Sequence, residues 1–230
     1  MPGPRRGPKP GHSVEEIVAA ALALADEQGI AGVSLPKLGA RLGLTANGLY
    51  RYIGSKDELL VLLTEAGWGP PPPLVSTDWR AGAAAWTRAL MDGLHRRPWL
   101  LDIPIRSAPV TPNLVAWLET LLRMLSGTGL SHADMLGCAT LLDGFARRAA
   151  TLARDLPADG TPPAEARALA EFLMPRLEEG GFPLLADVIS GRRYSGRPAD
   201  TAEFGLRCIL NGIEAIINRQ PPARGKPKRR

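Results

Sequence analysis

Between Thr45 and Lys56 the sequence TANGLYRYIGSK brings together side chains suited to hydrogen bonding with base edges and phosphates. Asn47 carries the paired donor and acceptor that match an adenine in a major groove, and Ala46 offers a methyl to a thymine methyl. Gly48 lets backbone approach closely, at a cost in helix propensity of about 1 kcal/mol. Thr45, Tyr50 and Lys56 are phosphate-contacting types, and Arg51 and Tyr52 fall on the same outward side. Nothing comparable supports catalysis. His12, His95 and His132 are isolated from one another and from cysteine, and no Gly-rich phosphate loop, G-x-S-x-G or metal-ligand spacing occurs. His95 stands with Arg96 and Arg97 at a helix end, where cations suit the dipole. Cys138 falls on an apolar helix face as a small core residue, and Asp143 with Arg147 reads as a helix-surface pair. The expectation is a protein without metal or cofactor, and not an enzyme.

The elements that position this set are short helices with clear starts and stops. Ser13 opens a first helix, with Glu16 completing a capping box and Val14, Ile17, Val18, Ala21, Leu24 and Ala25 forming one stripe up to Gly29. Ser34 caps a second helix carrying Leu35, Leu38 and Leu42, and Gly43-Leu44-Thr45 turns the chain into a third with Leu49 and Ile53 inward. Ser55 caps a fourth, backed by Leu59, Leu60, Leu62 and Leu63. Two helices joined by a glycine turn form a helix-turn-helix, whose second helix enters a major groove with its N-terminal residues at the bases.

The run Gly69-Pro70-Pro71-Pro72-Pro73 cannot continue a helix and favours a stiff extended spacer. The spacing therefore divides the chain into a basic arm at 1–12, a head at 13–66, a Pro-rich linker at 67–77, a helical body at 78–219 and a basic tail at 220–230. Within the body, helices are expected over 78–97, 112–126, 131–155, 163–179 and 201–219, with short pieces near 103–108 and 182–190. Pro175 predicts a kink or an early end in the fourth of these. Strand signals are nearly absent, so the fold class is all-α.

Composition narrows the classes further. The chain has 230 residues, 45% of them hydrophobic and 22% charged, which suits a globular protein and excludes a disordered one. Two cysteines exclude a disulfide scaffold, and no stretch approaches the roughly 20 apolar residues of a membrane span. The N-terminus lacks the apolar core of a secretory signal, so a cytoplasmic location is expected. The net charge is +5, yet residues 1–12 and 219–230 hold nine of the 28 Lys and Arg and no acid, leaving 19 bases against 23 acids between them. Arg5, Arg6 and Lys9 precede the first helix, where a basic arm can reach a groove.

Residues 13–66 resemble the N-terminal domain of the TetR family of bacterial transcriptional regulators. The match rests on Gly29 with Ser34 and Leu38, then Leu42-Gly43-Leu44-Thr45, Leu49-Tyr50 and Ser55-Lys56-Asp57-Glu58-Leu59-Leu60. The resemblance implies a three-helix DNA-binding head followed by a larger helical body for ligand binding and dimerisation. It places Ser34, Lys37, Thr45, Ala46, Asn47, Gly48, Tyr50, Tyr52 and Lys56 toward double-stranded operator DNA. Two positions depart from the family pattern: Ile53 stands where Phe is common, and Pro36 where a polar contact is often found.

For the body, the resemblance implies a small-molecule effector pocket among the middle helices and a homodimer through helices near 131–155 and 201–219. Met135, Leu136, Ala139, Leu142, Ala146, Ala149 and Ala150 give the first of these a small-residue face, and Leu206, Ile209, Leu210, Ile213, Ile216 and Ile217 give the second a broad apolar one. All five tryptophans fall within 68–117, and Trp86, Met91, Trp117, Leu121, Met124 and Phe145 are the expected pocket liners. Few charges share their faces, which points to an apolar or aromatic effector. The expected function is a ligand-responsive regulator, a repressor that leaves a palindromic operator when the effector binds. The alternative is a helical small-molecule-binding protein without operator recognition that acts through protein partners.

Overall fold

The computed structural model describes residues 11–73, 76–104, 111–155, 164–190 and 198–219, apart from the side chains of 164–167 and 198–200. Arg5, Arg6 and Lys9, the tail at 220–230 and residues 105–108 of an expected short piece lie outside the described residues. Among the described residues there is no strand. The helices are α1 (Val14–Gln28), α2 (Leu35–Leu42), α3 (Ala46–Leu49), α4 (Lys56–Trp68), α5 (Trp79–Arg96), α6 (Pro112–Leu125), α7 (His132–Asp155), α8 (Ala164–Glu179), α9 (Pro183–Ile189) and α10 (Pro198–Arg219). Two 3₁₀ turns, Ile30–Gly32 and Pro98–Asp102, complete the set.

The chain divides into two compact units, Met1–Pro73 with Arg96–Thr120, and Leu74–His95 with Leu121–Arg230. Residues 96–120 thus group with the head although they follow the proline run. The reason is side-chain packing: Trp99 and Leu100 lie against Gly67 near the end of α4, and Trp117 meets Trp68 edge-on at 5.9 Å.

In the first unit α1 packs on α2 and α4, and α2 on α3. Ile17, Ala21, Leu24, Ala25, Leu38, Leu49, Ile53, Leu59 and Leu63 form its core, each at most 4% exposed. At the start of α1 the Ser13 hydroxyl accepts from Glu16 N at 3.2 Å while the Glu16 carboxylate accepts from Ser13 N at 3.1 Å. Two donors that an open helix end would leave bare are thereby satisfied.

In the second unit α7 packs on α10 and α8 on α9. Most of the small-residue face of α7 is buried within the chain, namely Met135, Ala139, Leu142, Ala146 and Ala150, and so are Leu206, Leu210 and Ile213 of α10, whereas Leu136 stays exposed. α8 does not end at Pro175 but runs on to Glu179. The Arg176 guanidinium donates to the Phe172 carbonyl at 2.8 Å, one turn back along the same helix.

Two ion pairs tie α5 to α10. Arg80 reaches Glu214 at 3.1 Å and also bonds Asn211, and Arg88 grips Glu203 through Nε and Nη2 at 2.8 and 2.7 Å. The Arg88 hydrogen bonds hold the Glu203 carboxyl below its ordinary value. A carboxyl with a depressed folded pKa stabilises above the unfolded value and loses that contribution as pH falls through the folded one. Both side chains are half exposed, so Arg88→Met is expected to cost at most about 1 kcal/mol near pH 7. The loss should vanish once Glu203 is protonated in both states, as thermal unfolding at the two pH values would read.

Candidate nucleic-acid interface

The turn between α2 and α3 is a Schellman close. Gly43 adopts a left-handed conformation with φ 67°, Leu44 N donates to Gly39 O at 2.8 Å, and Gly43 N reaches Ala40 O at 3.5 Å. Thr45 then caps α3, its Oγ1 accepting from Gly48 N at 3.0 Å. Ser34 and Ser55 cap α2 and α4 in the same way, accepting from Lys37 N and Glu58 N at 3.4 and 3.0 Å. Each of these hydroxyls accepts with one lone pair and keeps its O–H to donate, so a capping Ser or Thr still has a donor for a phosphate.

Leu49 and Ile53 turn into the core beneath Leu38, and their burial decides what faces out. Asn47, Arg51 and Lys56 are exposed, Tyr50 is 49% exposed, and Ala46, Gly48 and Tyr52 are half-buried. The third helix is shorter than its sequence pattern suggests. α3 spans four residues, and Tyr50, Arg51 and Tyr52 occupy the turn that follows, held by Tyr52 N to Leu49 O at 2.9 Å and Ile53 N to Leu49 O at 3.1 Å.

Charge on this surface is sparse. Residues 13–66 hold four Lys and Arg against seven Asp and Glu. Arg41 is committed to Glu27 in a two-pronged pair at 2.9 and 2.7 Å, which raises the guanidinium pKa and lowers that of the carboxyl. Lys37 donates to the Gln28 side chain at 2.8 Å, whereas Arg51 and Lys56 form no ion pair among the described residues. Two residues gain roles that the sequence reading missed. Arg41 braces α2 against α1, and Gly39 makes room for the turn, since a Cβ there would lie 2.5 Å from Leu44 O.

Behind the interface, the ends of α1 and α4 are held by Arg97, Trp99, Asn113 and Trp117. The Asp26 carboxylate accepts from Trp99 Nε1 at 2.7 Å and from Arg97 Nε at 3.3 Å, and Arg97 Nη1 donates to Gly67 O at 3.0 Å. Glu65 accepts from Asn113 N with both carboxylate oxygens, at 2.9 and 3.0 Å. Asn113 Nδ2 donates to Glu65 O and Trp117 Nε1 to Gly69 O, both at 3.1 Å.

Residues 17–63 match the model of the bacterial regulatory proteins of the tetR family, and residues 72–217 match that of the tetracyclin repressor-like C-terminal domain. The chain belongs to the TetR family. Among its relatives, the HTH-type transcriptional repressor DrrR1 of Streptomyces coeruleorubidus is 30% identical over 222 residues, covering 93% of this chain and 82% of that one. The HTH-type transcriptional repressor Rv1353c of Mycobacterium tuberculosis is 28% identical over 239 residues, covering 98% and 89%. In fold the chain resembles apo ActR of Streptomyces coelicolor, with a TM-score of 0.77 at 24% identity over 90% of this chain and 97% of that one. ActR in complex with (S)-DNPA matches with a TM-score of 0.74 at 24% identity, over 90% and 98%.

In this TetR-family chain the six expected pocket residues fall in different settings. Trp86, Trp117 and Leu121 are buried, and Met91, Met124 and Phe145 are half-buried. Met124 lies over Gly82, and the Phe145 ring lies on Gly205 of α10. None of the six lines the groove of about 360 Å³ in the second unit, which is bounded by Asp78, Arg80, Ala84, Arg88, Leu206 and Arg207 among others. Among the described residues no group of three or more His, Cys, Asp or Glu is placed to hold a metal, and no helix is long and apolar enough to cross a membrane.

Proposed function

We propose that this TetR-family regulator binds a palindromic operator as a homodimer and leaves it when a small apolar or aromatic effector binds. The observation that carries the reading is the burial of Leu49 and Ile53. It leaves Thr45, Asn47, Tyr50 and Arg51 exposed and Ala46 and Gly48 half-buried, with Lys56 exposed at the start of α4. In this reading Asn47 and Ala46 meet bases, and Thr45, Tyr50, Tyr52, Lys56, Ser34 and Lys37 meet phosphates. Arg5 and Arg6 precede α1 and would follow the backbone or enter a minor groove, which suits a head whose own charge is net negative.

Dimerisation would use what α7 and α10 leave uncovered. Leu136, Leu141, Phe204 and Ile216 are between 47% and 59% exposed, and Gly137, Gly144 and Gly212 have open space where a Cβ would stand. Two recognition helices must then lie about 34–36 Å apart to enter successive major grooves. An effector bound in the helical body would change that spacing. Only a difference in effector affinity between the two spacings can drive the change. Repressors among the relatives, and an ActR that holds (S)-DNPA, support this reading.

Binding of the full chain to DNA flanking its own gene, measured at two salt concentrations, tests the interface. Lys56→Ala should weaken binding on all sequences and reduce the salt slope by about 1. Asn47→Ala should instead relax the preference at one base pair, costing about 1–3 kcal/mol on the preferred site. If Tyr50→Ala, Lys56→Ala and Asn47→Ala all bind as the unaltered protein does, the assignment of this surface is wrong. Operator release across a panel of hydrophobic compounds tests the effector, and indifference to all of them would count against an apolar ligand.

A further inference from the structure

At the start of α6 one backbone donor is taken by a residue of another helix, while the hydroxyl at the N-cap position stands idle. Thr111 occupies the N-cap position, where its carbonyl accepts from Val115 N at 2.9 Å. An N-cap threonine ordinarily turns its hydroxyl onto the N–H of the second or third helical residue. Ser34, Thr45 and Ser55 all do so in this protein. Thr111 does not. The N–H of Asn113, second in the helix, is given to Glu65 of α4, with the two carboxylate oxygens at 2.9 and 3.0 Å. Thr111 is 8% exposed, and its Oγ1 has no hydrogen-bond partner among the described residues. A buried hydroxyl left unpaired costs about 1–3 kcal/mol, so its retention there calls for a reason.

We propose that Glu65 and Thr111 are alternative caps for α6, and that exchange between them lets α4 separate from α6 without leaving a bare donor. With α4 seated, the Glu65 carboxylate takes the Asn113 N–H, and the negative charge suits the positive end of the α6 dipole. With α4 withdrawn, a rotation of the Thr111 side chain brings its hydroxyl onto the same N–H, and the hydroxyl's own lack of a partner is relieved. The seated state therefore carries an unpaired hydroxyl and the withdrawn state does not, which narrows the gap that an effector must bridge. The purpose of the exchange rests on the regulator reading above, but its chemistry does not.

The test is a cycle of variants of the full chain followed by urea unfolding. Thr111→Val alone removes an idle hydroxyl and should leave stability unchanged or raise it. In a Glu65→Ala background the hydroxyl is the working cap, so adding Thr111→Val should shift the unfolding equilibrium by about three- to tenfold toward the unfolded state. Glu65→Met, which fills similar space without an acceptor, serves the same purpose if Glu65→Ala does not fold. A crystal structure of either Glu65 variant should place Thr111 Oγ1 within hydrogen-bonding distance of Asn113 N or Leu114 N. The same response to Thr111→Val in both backgrounds, or a Thr111 hydroxyl still unpaired once Glu65 is replaced, overturns the exchange. None of these measurements involves DNA. Failure of the unaltered chain to bind operator DNA would sink the regulator reading while leaving the cycle to be judged by itself.

Discussion

Replacing Gly39 by alanine is expected to destabilise the protein by about 1–3 kcal/mol and to lower operator affinity by about tenfold or more. The sign is not the one that helix propensity suggests. Gly39 lies inside α2, where alanine is the better helix former by about 1 kcal/mol. A Cβ there would stand 2.5 Å from Leu44 O and 3.4 Å from the carbonyl carbons of Leu44 and Thr45. These obstacles are backbone and have no rotamer to change. Leu44 also cannot retreat freely, because its N–H closes α2 onto Gly39 O at 2.8 Å. The added methyl therefore displaces the turn, and with it the Thr45 cap and the exposed Asn47, Tyr50 and Arg51. A binding constellation tolerates about 0.5 Å of such movement, so affinity falls along with stability. Urea unfolding and operator titration of Gly39→Ala check both parts. A variant as stable as the parent, with unchanged affinity, would show that α2 and the turn have slack that the packing does not suggest.

What the sequence made legible follows from how local its causes are. The starts of α1, α2, α3 and α4 are set by Ser13, Ser34, Thr45 and Ser55, whose hydroxyls bond residues three places on, and such chemistry can be read from spacing alone. The stops at Gly29, Gly43 and Gly69, each with positive φ, are equally local. The arrangement behind the head is not. Asp26 meets Trp99 across 73 residues, and Glu65 meets Asn113 across 48, so no periodicity announces either. Gly39 reads in sequence only as a weak helix former, because the reason for it is a carbonyl beyond the turn. The tryptophans likewise have uses that their spacing does not announce: Trp68, Trp99 and Trp117 fasten the end of α4 or the helix beside it. The faces of α7 and α10 were legible as apolar, but only packing reveals that Met135, Ala139 and Leu142 are used up within the chain while Leu136 and Leu141 are not.

The largest loss of stability is expected from Trp99→Ala, about 3–5 kcal/mol, a large part of the 5–15 kcal/mol typical of a folded domain. Trp99 is 4% exposed and sits on a five-residue 3₁₀ turn that could not hold its place by helix propensity. Two contacts fix it. Its ring fills the space that Gly67 leaves on α4, with Cη2 2.5 Å from where a Cβ would stand, and its Nε1 donates to Asp26 of α1 at 2.7 Å. Truncation would open a cavity against α4 and leave Asp26 with Arg97 alone, at 3.3 and 3.4 Å. The two effects can be separated at Asp26. Asp26→Ala removes the acceptor and leaves the ring, so its cost should be about 1–2 kcal/mol, the worth of about one hydrogen bond to a charged group. Trp99→Phe loses the donor together with the outer ring atoms that reach Gly67, and its cost should lie between those of Asp26→Ala and Trp99→Ala. Urea midpoints at constant slope would give the three values directly. If Asp26→Ala proves as costly as Trp99→Ala, the hydrogen bond rather than the packing holds the end of α4. A Trp99→Ala cost below about 1 kcal/mol would mean that the site collapses around the loss, and that Trp99 does not secure the head.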